Sequence, residues 1–146
     1  MSAMQGRFLL AVSAGTRERL LPCLTGCQIV WAQTAGEVRA AVARERFDVV
    51  VVGSHFDESH TFDILALIRA ADPAAHIVCV RGRPFPGALR ESTMHAFRTA
   101  CEALGVSLVV DLLDYPDDQA GNDAIRALFE RDLAGAASPP PAAARA

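Results

Sequence analysis

Phe47-Asp48-Val49-Val50-Val51-Val52-Gly53 reads as a strand with apolar side chains on both faces, the pattern of a central strand in a parallel sheet covered by helices on each side. The flanking sequence is helical. Upstream, Thr34-Ala35-Gly36-Glu37 has the spacing of a capping box, in which the threonine hydroxyl accepts from a free first-turn amide and Glu37 reaches back to the Thr34 amide. The spacing predicts a helix over 34–46, with Val38, Ala41 and Val42 on one face and Arg39, Arg44 and Glu45 in water. Downstream, 62–71 places Ile64, Leu65, Leu67 and Ile68 at helical spacing, and Asp72-Pro73 ends that run.

The same alternation continues to both ends. Short apolar runs at 8–13, 28–32, 76–80 and 106–113 read as further strands. Between them, 16–24 is a short first helix interrupted by Pro22. A longer helix over 88–104 carries Leu89, Phe97, Ala100, Cys101 and Leu104 on one side, and a last helix over 122–133 turns Ile125, Leu128, Phe129 and Leu133 inward. Five strands alternating with helices require parallel pairing through right-handed crossovers, and so a doubly wound five-stranded α/β sheet in three layers. One domain over 7–133 accounts for the pattern. Residues 1–6 and the Ala/Pro-rich tail 134–146, with Ser138-Pro139-Pro140-Pro141, are expected to be disordered. Ligands of such sheets sit outside the carboxyl ends of the strands, here the loops 13–16, 53–61, 81–87 and 111–118.

A chain of 146 residues is long enough for one sizeable core. It is 51% apolar and its net charge is −3, with acidic and basic residues interspersed, so no basic footprint for nucleic acid is present. The longest apolar runs fall far short of a bilayer span, and 8–12 is too short for a signal-peptide core. A cytoplasmic protein is expected, with its four cysteines, Cys23, Cys27, Cys79 and Cys101, as free thiols. All fourteen cationic side chains are arginine; there is no lysine.

From Gln33 to Arg81 the order and spacing of these pieces resemble a response-regulator receiver domain: the capped helix, the Phe47-Asp48 entry to the valine strand, the Phe62 helix, then Asp72-Pro73 and Ile77-Val78. The flanks extend the likeness to residues 7–133. The resemblance implies a CheY-like, flavodoxin-like fold. It also implies a phosphorylation site, and there the sequence departs from the family. The acidic pair that holds Mg²⁺ after the first strand is replaced by Val12-Ser13-Ala14. The acceptor aspartate, whose carboxylate is the nucleophile, is replaced by Gly53. The hydroxyl at the end of the fourth strand is replaced by Arg81, and Asp114-Tyr115-Pro116 stands where a Lys-Pro pair is expected. Ser13, Ala14, Gly53, Arg81 and Tyr115 thus mark a degenerate phosphoacceptor pocket, and the chain reads as a pseudo-receiver.

Other residues offer narrower chemistry. Arg81 and Arg83 flank Gly82 at the ligand side of the sheet, where two guanidinium groups suit an anion; the competing reading pairs Arg81 with Asp57 or Asp111. His55, Asp57 and His60 cluster after Gly53, but without a spacing that points them at one metal. Ser13-Ala14-Gly15-Thr16 has too few glycines for a dinucleotide turn. In receivers, the fourth helix, fifth strand and fifth helix form the contact or dimer face, which the resemblance maps to Arg90, Arg98, Glu102, Arg126 and Glu130 here. The expectation is a non-catalytic, phosphorylation-independent signalling module of the two-component type. It acts through a protein partner or a homodimer, with no cofactor, metal, nucleic acid or membrane. The alternative is a small-ligand or anion sensor, or weak enzyme, built on the Arg81, Arg83 and His55 rim.

Overall fold

The computed structural model describes residues 4–57, 60–83 and 90–137, the side chains of 90–92 and 136–137 excepted. Five strands, β1 (Arg7–Ala11), β2 (Gln28–Ala32), β3 (Val49–Gly53), β4 (Ile77–Arg81) and β5 (Leu108–Asp111), form one parallel sheet in the order β2-β1-β3-β4-β5. Among the described residues four helices connect them, α1 (Ala14–Leu20), α2 (Ala35–Arg44), α3 (Thr61–Ala71) and α4 (Arg90–Ala103), and α5 (Gln119–Ala137) follows β5. This is the doubly wound, CheY-like and flavodoxin-like α/β sandwich that the alternation predicts. None of the described helices is long and apolar enough to cross a membrane.

β3 is the central strand and all five of its residues are buried. Because strand side chains alternate in direction, its valines divide between two cores. Val50 and Val52 join Leu9, Ala11, Cys79 and Val109 beneath α2, α3 and α4, whose Val38, Ile64, Leu65, Ile68, Phe97 and Cys101 complete that layer. Val49 and Val51 face the other way with Phe8, Leu10, Val78, Val80 and Val110, covered by Leu20 of α1 and Ile125 and Phe129 of α5. The rings of Phe8 and Phe129 pack at 6.1 Å. Burying an aliphatic side chain of this size contributes about 1.5–3 kcal/mol, and the sheet does so on both faces.

Capping sets the helix starts. Thr34 Oγ1 accepts from Glu37 N at 3.1 Å, and Glu37 Oε1 accepts from Gln33 N at 2.8 Å, one residue upstream of the predicted amide. Asp57, from the loop after β3, adds a second cap by accepting from Ala35 N at 2.9 Å. Ser13 caps α1, and Pro22 sits at the start of a single 3-10 turn, Leu21–Cys23, where the missing amide costs no helical bond.

Several boundaries differ from the sequence expectations. Residues 4–6 are ordered against the core: Met4 is 6% exposed, its carbonyl accepts from Arg126 at 3.3 Å, and Gly6 O accepts from Gln28 N at 2.8 Å. A lone apolar residue in a short segment carries no period by which to see this. β5 stops at Asp111, whose carboxylate accepts from Leu113 N at 3.1 Å and turns the chain into a 3-10 turn, Leu112–Asp114. α5 starts earlier than predicted and continues to Ala137, four residues past the expected end of the domain, because Ala134, Ala136 and Ala137 are strong helix formers. The remainder of the tail, 138–146, and the loop 84–89 lie outside the described residues.

The last turns of α5 are tied to the sheet by a polar cluster. Asp132 accepts from His76 Nε2, just before β4, at 2.5 Å and from Ser107 Oγ, just before β5, at 2.9 Å. One ring nitrogen serves both partners, His76 Nε2 also lying 3.1 Å from Ser107 Oγ, so this is a clamp and not a hydrolytic triad, which uses both nitrogens. Asp132→Ala is expected to lower unfolding free energy by about 1–3 kcal/mol in urea titration, and Asp132→Asn, which keeps an acceptor, by less.

Candidate functional site

The sheet reverses its strand order between β1 and β3, and the carboxyl ends of these strands with β4 and β5 form the place where a ligand of this architecture binds. Register determines what meets there. Gly53 ends β3 beside Val80, and Arg81 ends β4 directly beside Asp111 of β5. Arg81 and Asp111 are 2% and 8% exposed, and they pair through Arg81 Nη2 and Asp111 Oδ2. A guanidinium and a carboxylate removed from water are tolerated only when matched to each other.

Gly53 is buried, and its backbone does not require glycine, since it lies outside the left-handed region. A Cβ built there would lie 3.4 Å from Val12 Cγ1, ordinary packing distance. The space thus admits a Cβ at this position, where the sequence supplies none. The Gly53 carbonyl accepts from Thr61 Oγ1 at 2.9 Å, which draws the start of α3 onto the end of β3.

Around this point the surroundings are closed. Val12 turns into the second core and its carbonyl accepts from Trp31 Nε1 at 2.9 Å. Arg17 lies over the Trp31 ring at 4.7 Å. Ser13 Oγ and Thr16 Oγ1 hydrogen-bond at 3.2 Å, engaged in the α1 cap. Gly82 brings the loop after β4 against α1: a Cβ at that position would lie 2.3 Å from Thr16 Oγ1 and would displace the Thr16 side chain. Ala14 is exposed on the rim. Among the described residues no group of three His, Cys, Asp or Glu side chains is placed to hold a metal ion.

Of the two partners considered for Arg81, the structure selects Asp111. Asp57 sits at φ 45° with its carboxylate committed to the start of α2, away from Arg81. Tyr115 likewise does not end the fifth strand. Asp111 does, and Tyr115 lies beyond the 3-10 turn, half-buried against the second core. Turn chemistry at Asp111, and not hydrophobic pattern, ends the strand, which is why the sequence reading ran two residues too far.

Arg83 is exposed, while His55 is half-buried with Nδ1 3.1 Å from Ser54 Oγ. Burial holds the His55 pKa below its ordinary 6.5, and the positive charges of Arg83 and then Arg81 lower it further. The charges of Arg83 and Arg81 thus act on a His55 ring held neutral, while Asp57 is engaged at the start of α2.

The surface residues divide in the same way. Arg98 spends its guanidinium on Val109 O at 3.1 Å, covering the outward carbonyl of the edge strand β5. Glu102 is exposed beside it on α4. Arg126 turns to the opposite flank of α5, donating to Thr25 O at 2.8 Å, Cys23 O at 3.1 Å and Met4 O, with Glu130 3.7 Å behind it. Arg126 and Glu130 therefore do not share a face with Arg98 and Glu102. Sequence periodicity places a residue on a helix face but not the flank to which a long side chain folds. The Arg90 side chain lies outside the described residues.

Arg81→Ala, which strands the Asp111 carboxylate, is expected to cost about 3–5 kcal/mol in chemical denaturation, whereas Arg81→Met with Asp111→Leu recovers most of the loss. His55 acts in the opposite sense to a paired histidine. Its folded pKa is depressed, so the unfolded chain binds the proton first and stability falls as pH drops through 6.5. His55→Gln should flatten the melting temperature against pH across that range.

No family model matches the chain, and no curated protein matches it in sequence. Solved structures do match. NtrX from Brucella abortus superposes with a TM-score of 0.70 at 16% identity over 91% of this chain, which spans 28% of the NtrX chain. A LuxR-family two-component response regulator from Aurantimonas sp. gives 0.65 at 22% identity, covering 90% of this chain and 87% of that one. A CheY-like receiver domain protein from Methanospirillum hungatei gives 0.64 at 15% identity, with 91% and 97% covered. The chain therefore has the fold of response-regulator receiver domains, with a glycine at the end of β3 and a buried arginine–aspartate pair across the ends of β4 and β5.

Proposed function

We propose that this chain is a receiver-like signalling module of the two-component type that works in the cytoplasm by protein contact, without phosphorylation and without catalysing a reaction. The observation that carries this reading is the Arg81–Asp111 pair. In a phosphorylated receiver the incoming phosphate needs an acceptor carboxylate, a metal held by further carboxylates, and a cation to neutralise it. Here the acceptor position is Gly53, and the stretch Val12-Ser13-Ala14 stands in the place of the acidic pair. The buried cation already has its counter-ion, Asp111, at its side. Asp57 is engaged at the start of α2. An internal ion pair of this kind supports a single standing arrangement of the loops after β4 and β5, with output through a partner or a second copy on the side formed by α4, β5 and α5.

The test is to add beryllofluoride with Mg²⁺, or acetyl phosphate, to the wild type and to Gly53→Asp. Melting temperature and intact mass are then measured. The expected result is no Mg²⁺-dependent shift and no phosphorylated species in either protein. A Mg²⁺-dependent response of the wild type would overturn the reading.

A second reading, an anion sensor, is favoured by the convergence of His55, Arg81 and Arg83. An anion bound there would relieve the repulsion on His55 and raise its pKa, which an NMR titration of the ring with and without inorganic phosphate measures. An unmoved titration excludes that reading.

A further inference from the structure

The two edges of the sheet are finished differently. β5, at one edge, is buried along most of its length, and the Arg98 guanidinium covers its outward Val109 carbonyl at 3.1 Å. β2, at the other edge, keeps three large apolar side chains, Ile29, Val30 and Trp31, only half-buried. It carries none of the charges, prolines or bulges by which edge strands are ordinarily kept from pairing. No charged residue occurs anywhere from Leu20 to Gly36, in a chain that is 21% charged.

Hydrogen bonding identifies the open backbone groups. Gln28 N–H donates to Gly6 O at 2.8 Å, so the Gln28 backbone faces β1. Backbone direction alternates along a strand. Val30 and Ala32 therefore face β1 as well, and Cys27, Ile29, Trp31 and Gln33 face outward. The two end amides of this outward series are satisfied within the chain: Cys27 N–H donates to Leu24 O at 3.1 Å and Gln33 N–H to Glu37 Oε1 at 2.8 Å. Between them, the N–H and C=O groups of Ile29 and Trp31 are met by no described residue. The strand is also held ready for contact, because Trp31 Nε1 donates to Val12 O at 2.9 Å and Arg17 lies over the ring at 4.7 Å.

These open groups are self-complementary. In an antiparallel pair, opposed residues exchange both N–H···O bonds at alternate positions, and the residues between them approach closely without bonding. When β2 is set antiparallel to its own copy about a two-fold axis through Val30, Ile29 lies opposite Trp31 of the second copy, and Trp31 opposite Ile29 of the second copy. Every outward N–H of Ile29 and Trp31 then meets a C=O, and none of these groups is left over in either strand. Val30 faces Val30 at the close, unbonded position, and each Ile29 lies against a Trp31 ring, a pairing of β-branched and aromatic residues that sheets favour. With no charge on the strand, meeting its own copy opposes no like charges. We propose that the outer edge of β2 is a docking surface for a second copy of this chain, which joins two five-stranded sheets into one by antiparallel β2–β2 pairing. The contact is isologous and closes at two copies, since pairing consumes the open edge while Arg98 covers the other. Two five-residue strands form a small interface, so the pair parts on dilution. It leaves the side formed by α4, β5 and α5 free, and it stands independently of how the pocket at Gly53 is read.

The experiment measures mass by light scattering over a concentration series for the wild type, Ile29→Pro, Val30→Lys and Glu102→Arg, with circular dichroism to check folding. Trp31 is the only tryptophan of the chain, so its fluorescence on dilution reads the contact directly. Ile29→Pro removes an outward N–H but no bond to β1, and Val30→Lys sets two ammonium groups opposite each other across the axis. Expected for the wild type is a mass twice the 15.5 kDa of one chain at the top of the series. On dilution it returns to that of one chain, and Trp31 emission changes over the same range. Each β2 variant should fold and weaken the pair by about tenfold or more, whereas Glu102→Arg on α4 should not. Four results overturn the proposal: a wild type that stays monomeric, a pair that survives both β2 substitutions, assemblies that grow beyond two copies, or a pair lost in Glu102→Arg and kept in the β2 variants. The two β2 variants act by different means, so if one fails to fold the other decides, and dilution of the wild type needs neither.

Discussion

Arg81 and Asp111 each lose their water on folding, a cost of several kcal/mol per ion that only their mutual attraction and hydrogen bonding offset. They can meet because β4 and β5 pair in the register that sets Val78 beside Leu108, Cys79 beside Val109 and Val80 beside Val110. A slip of one residue would bury a lone charge and turn the valines to the wrong face. The ion pair and the apolar pattern thus specify the same register, and the positions of the loops after β4 and β5 follow. Gly82 can then lie against Thr16, and Asp111 can turn the chain toward α5.

The absence of lysine has a structural counterpart. Arginine presents five N–H donors in a rigid fork, whereas lysine offers one compact ammonium, and the chain uses its arginines as clamps on backbone carbonyls. Arg69 donates to Pro73 O, Ala75 O and Gly105 O, joining the end of α3 to the turns before β4 and β5. Arg19 reaches Asn122 Oδ1 and Pro116 O, and Arg126 reaches Cys23 O, Thr25 O and Met4 O, so α1 and α5 are held together by guanidinium groups at both ends. Arg98 covers β5 in the same manner. Charges that look like surface decoration in the sequence are in these cases satisfying buried or edge carbonyls.

How much of the candidate site could be read in advance depended on which force positioned each residue. Gly53 was legible because an uninterrupted valine strand has a definite end. Arg81 was legible for the same reason at the end of β4, and its partner was narrowed to Asp57 or Asp111. Asp57 was eliminated by a contact across 22 positions of sequence, its hydrogen bond to the Ala35 amide. Tyr115 was misplaced because the carboxylate of Asp111 ends the strand by a local turn that apolar patterning does not register. Met4, Trp31 and Thr16 gave no signal, since each matters only through what it touches.

The sequence by itself determined the layers: period-two and period-3.6 apolar patterns select strand or helix, their alternation dictates parallel pairing, and the identity of Gly53 removes a side chain whatever the packing. Tertiary structure alone decided the partners. Arg81 with Asp111, Arg126 with the carbonyls near α1, and Asp132 with His76 all join residues far apart in the chain. Burial and secondary structure are properties of short windows of sequence, whereas an ion pair or a hydrogen bond between distant side chains exists only after strand register and helix docking have brought the two groups within reach.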